Sequence, residues 1–167
     1  MSAGVSGVLD MVREHLPLHC EPGVVRLFGV ADIGMAGLQA GWSQPEDGHT
    51  WNDGAEAALK LTTLARPGTM LLVLTGEPYV SRARPMQEMT LFGNGFRLAG
   101  WRMTQRIEIT RQIRLEPEWW LDRGGHAVMN LVICLPNSAR PKDLADGPDG
   151  RELGFCFRTL CLRPLLG

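Results

Sequence analysis

The run Gly41–Gly54, GWSQPEDGHTWNDG, gathers side chains able to do chemistry: the carboxylates of Glu46, Asp47 and Asp53, the imidazole of His49 and the indoles of Trp42 and Trp51. Carboxylates this close in sequence suit a hard, oxygen-loving cation such as calcium. A pair of them set across a substrate could serve as general acid and base. They could equally accept hydrogen bonds from loop amides and from arginines. The indoles offer stiff, flat surfaces that stack on sugar rings at little entropic cost, or they fill a core. Trp101, Trp119 and Trp120 complete the tryptophan inventory. Trp119 and Trp120 are adjacent, so in an extended chain they point to opposite sides and one of them faces outward.

Other chemistry is missing. The chain has no GxSxG, HExxH or P-loop motif. His15 and His19 have the i, i+4 spacing of a helical metal pair, but Pro17 lies between them. The four cysteines, Cys20, Cys134, Cys156 and Cys161, form no CxxC pair. Three of them sit in apolar, strand-like runs, where a free thiol acts as a small hydrophobe. That pattern fits a reducing compartment, with the cytoplasm as the default. Of 17 basic residues, only Lys60 and Lys142 are lysines, which reflects either coding bias or a use for planar guanidinium contacts.

Length and composition set the frame. The 167 residues suit one domain, and 44% hydrophobic content supplies a core. A net charge of -1 gives no bulk attraction for nucleic acid or another polyanion. No window reaches the roughly 20 apolar residues of a membrane helix. The start, MSAGVSGVLDMVREHLP, lacks the basic and apolar regions of a secretory signal.

The elements that must position these residues are mostly strands. Val5, Val8, Leu9, Val12 and Leu16 repeat at helical spacing up to Pro17, which predicts a short N-terminal amphipathic helix that covers a sheet edge or meets a partner. Strands are expected at Val24–Val30, Ala55–Leu64, Met70–Thr75, Met86–Phe92, Phe96–Met103, Arg106–Leu115, Val128–Leu135 and Phe155–Leu162. Asn94–Gly95 marks a tight hairpin. Arg111 interrupts an apolar face of Ile107, Ile109, Ile113 and Leu115, which suggests a bulge or kink. The reading is an all-β fold, an antiparallel β-sandwich or jelly roll, with residues 1–20 as a helical extension and 21–167 as the sandwich domain.

Three stretches carry a resemblance. GWSQPEDGHTWNDG is similar to a motif G-W-S-x-x-E-x-x-G-x-W-S/T-x-G through Gly41, Trp42, Ser43, Glu46, Trp51 and Gly54. His49 stands near the expected glycine, Gly48 comes one place early, and Asn52 replaces a small residue. TLFGNGFRLAGW matches in Asn94, Gly95 and Trp101, and the tail matches in Asp149, Arg151, Leu153 and Gly154. From about Gly41 to Leu162 the chain therefore resembles a carbohydrate-binding-module-like β-sandwich domain found in or beside bacterial exopolysaccharide glycosyltransferases. The resemblance implies an accessory role in trans, with a carbohydrate or a polysaccharide-synthesis protein as partner.

Three functions stay open. The first is a non-catalytic binding module with Trp42, Glu46, Trp51, Asp53, Trp101 and Arg151 as ligand-binding residues. The second is a small sugar-active enzyme using Glu46, Asp53 or His49. The third is an interaction module that forms homo-oligomers through a sheet face or the N-terminal helix. No cofactor is implied, calcium being the one ion that the loop carboxylates would suit. Gly41, Gly48 and Gly54 permit tight turns, so the stretch reads as a sandwich corner, with Arg151 the expected partner of Glu46 in a bidentate clamp.

Overall fold

The computed structural model describes residues 16–166. The expected N-terminal helix lies almost wholly on residues 1–15, outside the described residues. The strands are β1 (Leu18–His19), β2 (Val25–Leu27), β3 (Thr50–Trp51), β4 (Glu56–Leu64), β5 (Met70–Pro78), β6 (Gln87–Gly93), β7 (Phe96–Met103), β8 (Ile109–Leu115), β9 (Leu121–Arg123), β10 (His126–Cys134) and β11 (Phe155–Pro164). Short 3-10 turns cover Pro117–Trp119 and Pro141–Leu144. All eight expected strands are present, and β1, β3 and β9 are short additions that the sequence did not signal.

Set β1, β3 and β9 aside and the other strands pair from the outside in: β2 with β11, β4 with β10, β5 with β8, β6 with β7. These pairs join edge to edge through β11–β5 and β10–β6. A long hairpin rolled up in this way is a jelly roll. Sheet A runs β1-β4-β10-β6-β7, with β9 also on β10, and sheet B runs β2-β11-β5-β8, with β3 also on β11. Every pairing is antiparallel except β1 with β4.

Alternation sends one side of each strand inward. On β10, Ala127, Met129, Leu131 and Ile133 face the core, opposed from sheet B by Leu72, Leu74, Phe155, Phe157, Leu160 and Leu162. Met70–Thr75, an unbroken apolar run in sequence, alternates in depth like the rest, with Leu71 and Val73 only half-buried on the outer face. Leu18 and Cys20 are already in the core, so the sandwich takes in residues just ahead of position 21. All four cysteines are free thiols. Burial pushes Cys20 up to about 12 and Cys156 up to about 11, which keeps both protonated.

Two local expectations resolve differently. Asn94 (φ 47) and Gly95 (φ 88) both lie in the left-handed region, as the two-residue β6–β7 turn requires. Arg111, by contrast, makes no bulge, because the β5–β8 ladder runs in register from Met70↔Leu115 to Gly76↔Ile109. Its side chain stays in the inward row at an edge strand, where the guanidinium lies 5.9 Å from the centroid of Trp101 and reaches toward solvent.

Asn52, the residue that departs from the resemblance motif, ties one end of the sandwich together. It is fully buried. Its Oδ1 accepts from the amides of Gly154 (2.9 Å) and Phe155 (2.8 Å). Its Nδ2 donates to the Gly54 carbonyl (2.7 Å) and to Ser138 Oγ (3.2 Å). Alanine would strand two buried amides and open a small void. Asn52→Ala is expected to lower unfolding free energy by about 3 kcal/mol, read from urea denaturation.

Candidate functional site

The Gly41–Gly54 stretch is a structural corner. Its backbone closes on itself, with Ser43 N donating to Trp51 O (3.0 Å) and Asp53 N to Gly41 O (2.8 Å). Gly41 has φ 87, and a Cβ there would stand 1.8 Å from the Glu56 carbonyl, so no other residue fits. Trp42 is half-buried and packs into the corner. It stacks on Phe28, meets Phe157 edge-on at 5.0 Å, and donates Nε1–H to the Ala58 carbonyl at 2.7 Å. Trp101 lies between the sheets at the far β7–β8 edge, so the structure does not bring it together with Trp42 and Trp51. Of the adjacent pair, Trp120 is buried, while Trp119 is half-buried and stacks on the exposed Phe96.

The acids of this stretch act as ties. Asp53 Oδ1 accepts the Glu152 amide (2.9 Å). Glu46 meets Arg151 Nη1 at 3.4 Å, as the sequence suggested, and also His49 Nε2 at 3.2 Å. The bidentate partner of Arg151 is Asp149, however, whose Oδ2 accepts from Nη2 (2.8 Å) and whose Oδ1 accepts from Nε (3.1 Å). The adjoining guanidinium holds the Asp149 carboxyl below the usual aspartate range. Arg151 Nη1 also donates to Ser43 Oγ (2.8 Å), so the guanidinium bolts the tail loop to the corner. Among the described residues, no three His, Cys, Asp or Glu side chains gather in a group that could hold a metal ion.

Trp51 faces the outer side of sheet B in a row with Cys156 and Glu77. Beside it the polar groups are paired with one another. Tyr79 donates to Asp146 (2.7 Å) under the Arg106 guanidinium, and Glu77 takes both Arg106 (3.3 Å) and Arg158 (3.5 Å). A surface whose charges already answer each other has little left to offer a ligand.

The outer face of sheet A differs. Register lays its residues in rows: Arg123, His126 and Leu64; then Leu121, Val128, Thr62 and His19; then Asn130 and Lys60; then Phe92, Val132 and Ala58; then Thr90, Cys134 and Glu56. Two adjoining hollows open on this face. One, of about 790 Å³, is lined by Leu16, His19, Lys60, Leu121, Arg123, His126, Val128 and Asn130, among others. The other, of about 640 Å³, is lined by Glu56, Phe92, Asn94, Leu121, Val132 and Cys134, among others. They share Leu121 and Asn130, so together they form a trough along β10. The floor is apolar, and the rim carries amide, imidazole, ammonium and guanidinium groups. The His19 and His126 rings meet edge-on at 5.9 Å.

The trough has a wall because β10 is flanked by β4 along its whole length on one side but by two strands on the other. β9 pairs with 126–128 and β6 with 131–134. Asn94 fills the seam between them. Its Nδ2 donates to Trp119 O (2.7 Å) and Val128 O (2.9 Å), and its Oδ1 accepts from Asn130 N (3.0 Å).

Sequence reasoning missed this face. Its signal was faint: the polar Lys60 in an alternating strand, and Asn130 in the middle of an apolar one.

No family model matches the chain, and no curated protein matches it. Among solved structures, it is similar to a family GH115 4-O-methyl-alpha-glucuronidase, BtGH115A, described as having specificity for decorated arabinogalactans. Identity is 10%, the match covers 87% of this chain and 17% of that one, and the TM-score is 0.46. The chain thus spans about a sixth of that enzyme. No helix among the described residues is long and apolar enough to cross a membrane.

Tyr79 is the sole tyrosine of the chain, which makes the Trp51 surface directly readable. Burial first, and the hydrogen bond to Asp146 second, push its phenol up to about 12. The neutral form is the one the fold favours, so its stabilisation is whole below about pH 10 and disappears as pH rises through about 12. Absorbance at the tyrosinate band is expected to titrate near 12 in the native protein and at lower pH in Asp146→Asn.

Proposed function

We propose that the chain is a non-catalytic jelly-roll module that binds carbohydrate along the outer face of sheet A. The observation that carries this reading is the trough over β10. Sugars present apolar C–H faces ringed by hydroxyls, and a shallow apolar floor with a polar rim matches that distribution. Val128, Leu121, Val132 and Phe92 supply the floor. Thr62, Asn130, His19, His126, Lys60 and Arg123 supply the rim. Among the described residues, this rim carries no pair of carboxylates of the kind glycoside hydrolysis usually needs, which favours holding a sugar over cleaving it. The resemblance to domains beside exopolysaccharide glycosyltransferases adds a setting, an accessory role in bacterial polysaccharide synthesis.

The test is a titration of isotope-labelled protein with a panel of bacterial exopolysaccharide fragments, followed residue by residue in amide NMR spectra. Saturable shifts are expected at His19, Lys60, Leu121 and His126–Asn130. Shifts confined to Trp51, Tyr79 and Arg106 would move the site to sheet B. Silence across the whole panel would overturn carbohydrate binding and turn attention to a protein partner at the exposed Val24, Val25, Leu27 and Val30, in and beside β2.

A further inference from the structure

We infer that the sugar held in the trough carries carboxylates, so that the ligand is an acidic, uronate-type glycan more than one ring long. This rests on the binding reading above and narrows it.

Among the described residues, the larger hollow is lined by four cationic or cationisable side chains, Lys60, Arg123, His19 and His126, and by no carboxylate. Six arginines outside the hollow have acidic partners: Arg26 has Asp32, Arg102 has Glu88, Arg106 and Arg158 have Glu77, Arg114 has Glu116, Arg151 has Asp149. Among the described residues, neither Lys60 nor Arg123 has one. The nearest acid in sequence, Asp122, pairs in register with the inward Ala127 and lines a different hollow with Arg66 and Trp120. Glu56 sits at the opposite end of the face. The net charge of -1 does not register this local excess, because a sum over the chain carries no positions.

The spacing sets the ligand's size. Lys60 is opposite Asn130 and Arg123 is opposite His126. The two cations are therefore four residues apart along β10, about 13 Å, and stand on opposite sides of it, about 10 Å across. That backbone span exceeds the width of one sugar ring. A planar guanidinium takes a carboxylate through two parallel hydrogen bonds, and an ammonium takes one as a point charge. Carboxylates on alternate or successive rings of an extended glycan would meet these two groups in turn, with the ring faces over Val128 and Leu121.

Calorimetric titration of the full chain with oligogalacturonate, oligomannuronate and oligoglucuronate tests this, each beside its carboxyl-reduced, neutral counterpart. At least one uronate is expected to bind about tenfold more tightly than its reduced form and to weaken as salt is raised. Lys60→Gln and Arg123→Gln, both surface changes, are each expected to remove about five- to tenfold of the affinity for the uronate and to narrow its advantage over the reduced oligomer. Equal binding of a uronate and its reduced form would overturn the acidic preference while the carbohydrate reading stands. Failure of all acidic and neutral oligomers, with the panel above also silent, would sink both. Displacement of the oligomer by acetate at matched carboxylate concentration would reduce the site to a simple anion site and overturn the glycan assignment.

Discussion

The side chain of Asn94 is the interaction on which the proposed surface depends. β10 has a continuous partner on one side and a broken one on the other, and the break falls where the trough is. Left open, the seam would expose the carbonyls of Trp119 and Val128 and the amide of Asn130, and β9 would keep only its three-residue ladder to β10. One amide side chain answers all three. The same residue must also take positive φ in the β6–β7 turn, which asparagine tolerates better than most. Turn chemistry and seam chemistry thus converge on a single residue type.

The two outer faces of the jelly roll treat charge in opposite ways. At the corner end of sheet B, Glu46, Asp149, Glu77 and Asp146 are matched to Arg151, Arg106 and Arg158, and the result is a brace between loops that are distant in sequence. On sheet A, Lys60 and Arg123 have no acidic partner among the described residues. Paired charge stiffens a surface, and unpaired charge is free to meet a ligand. This contrast, more than the position of any tryptophan, is what favours sheet A as the proposed ligand face.

Much of the fold was legible in the sequence, because alternation, the Asn94–Gly95 turn and the apolar closing strand are local signals. The Glu46–Arg151 tie was legible too, once two distant stretches were read as parts of one motif. The short strands β1, β3 and β9 were not, since two or three residues are too few to show a period. The tryptophans were ambiguous because an indole suits a core as well as a sugar. Trp42 finds a carbonyl for its N–H inside the corner and so has no need of solvent. Asn52 gave no sign of burial, because its partners are backbone groups that composition cannot reveal. The trough was hidden for a different reason. His19, Lys60, Arg123 and Asn130 come from four strands, and only cross-strand register places them side by side.

The central claim is that the Asn94 seam holds up a ligand surface over sheet A. The most direct measurement is the affinity of Asn94→Ala, beside the unaltered protein, for the tightest-binding oligosaccharide, with amide hydrogen exchange recorded on both. The account predicts that protection falls at Leu121–Arg123 and His126–Asn130, that β5 and β11 keep theirs, and that affinity drops by about tenfold or more. Unchanged affinity in a variant whose β9 has come loose would contradict it.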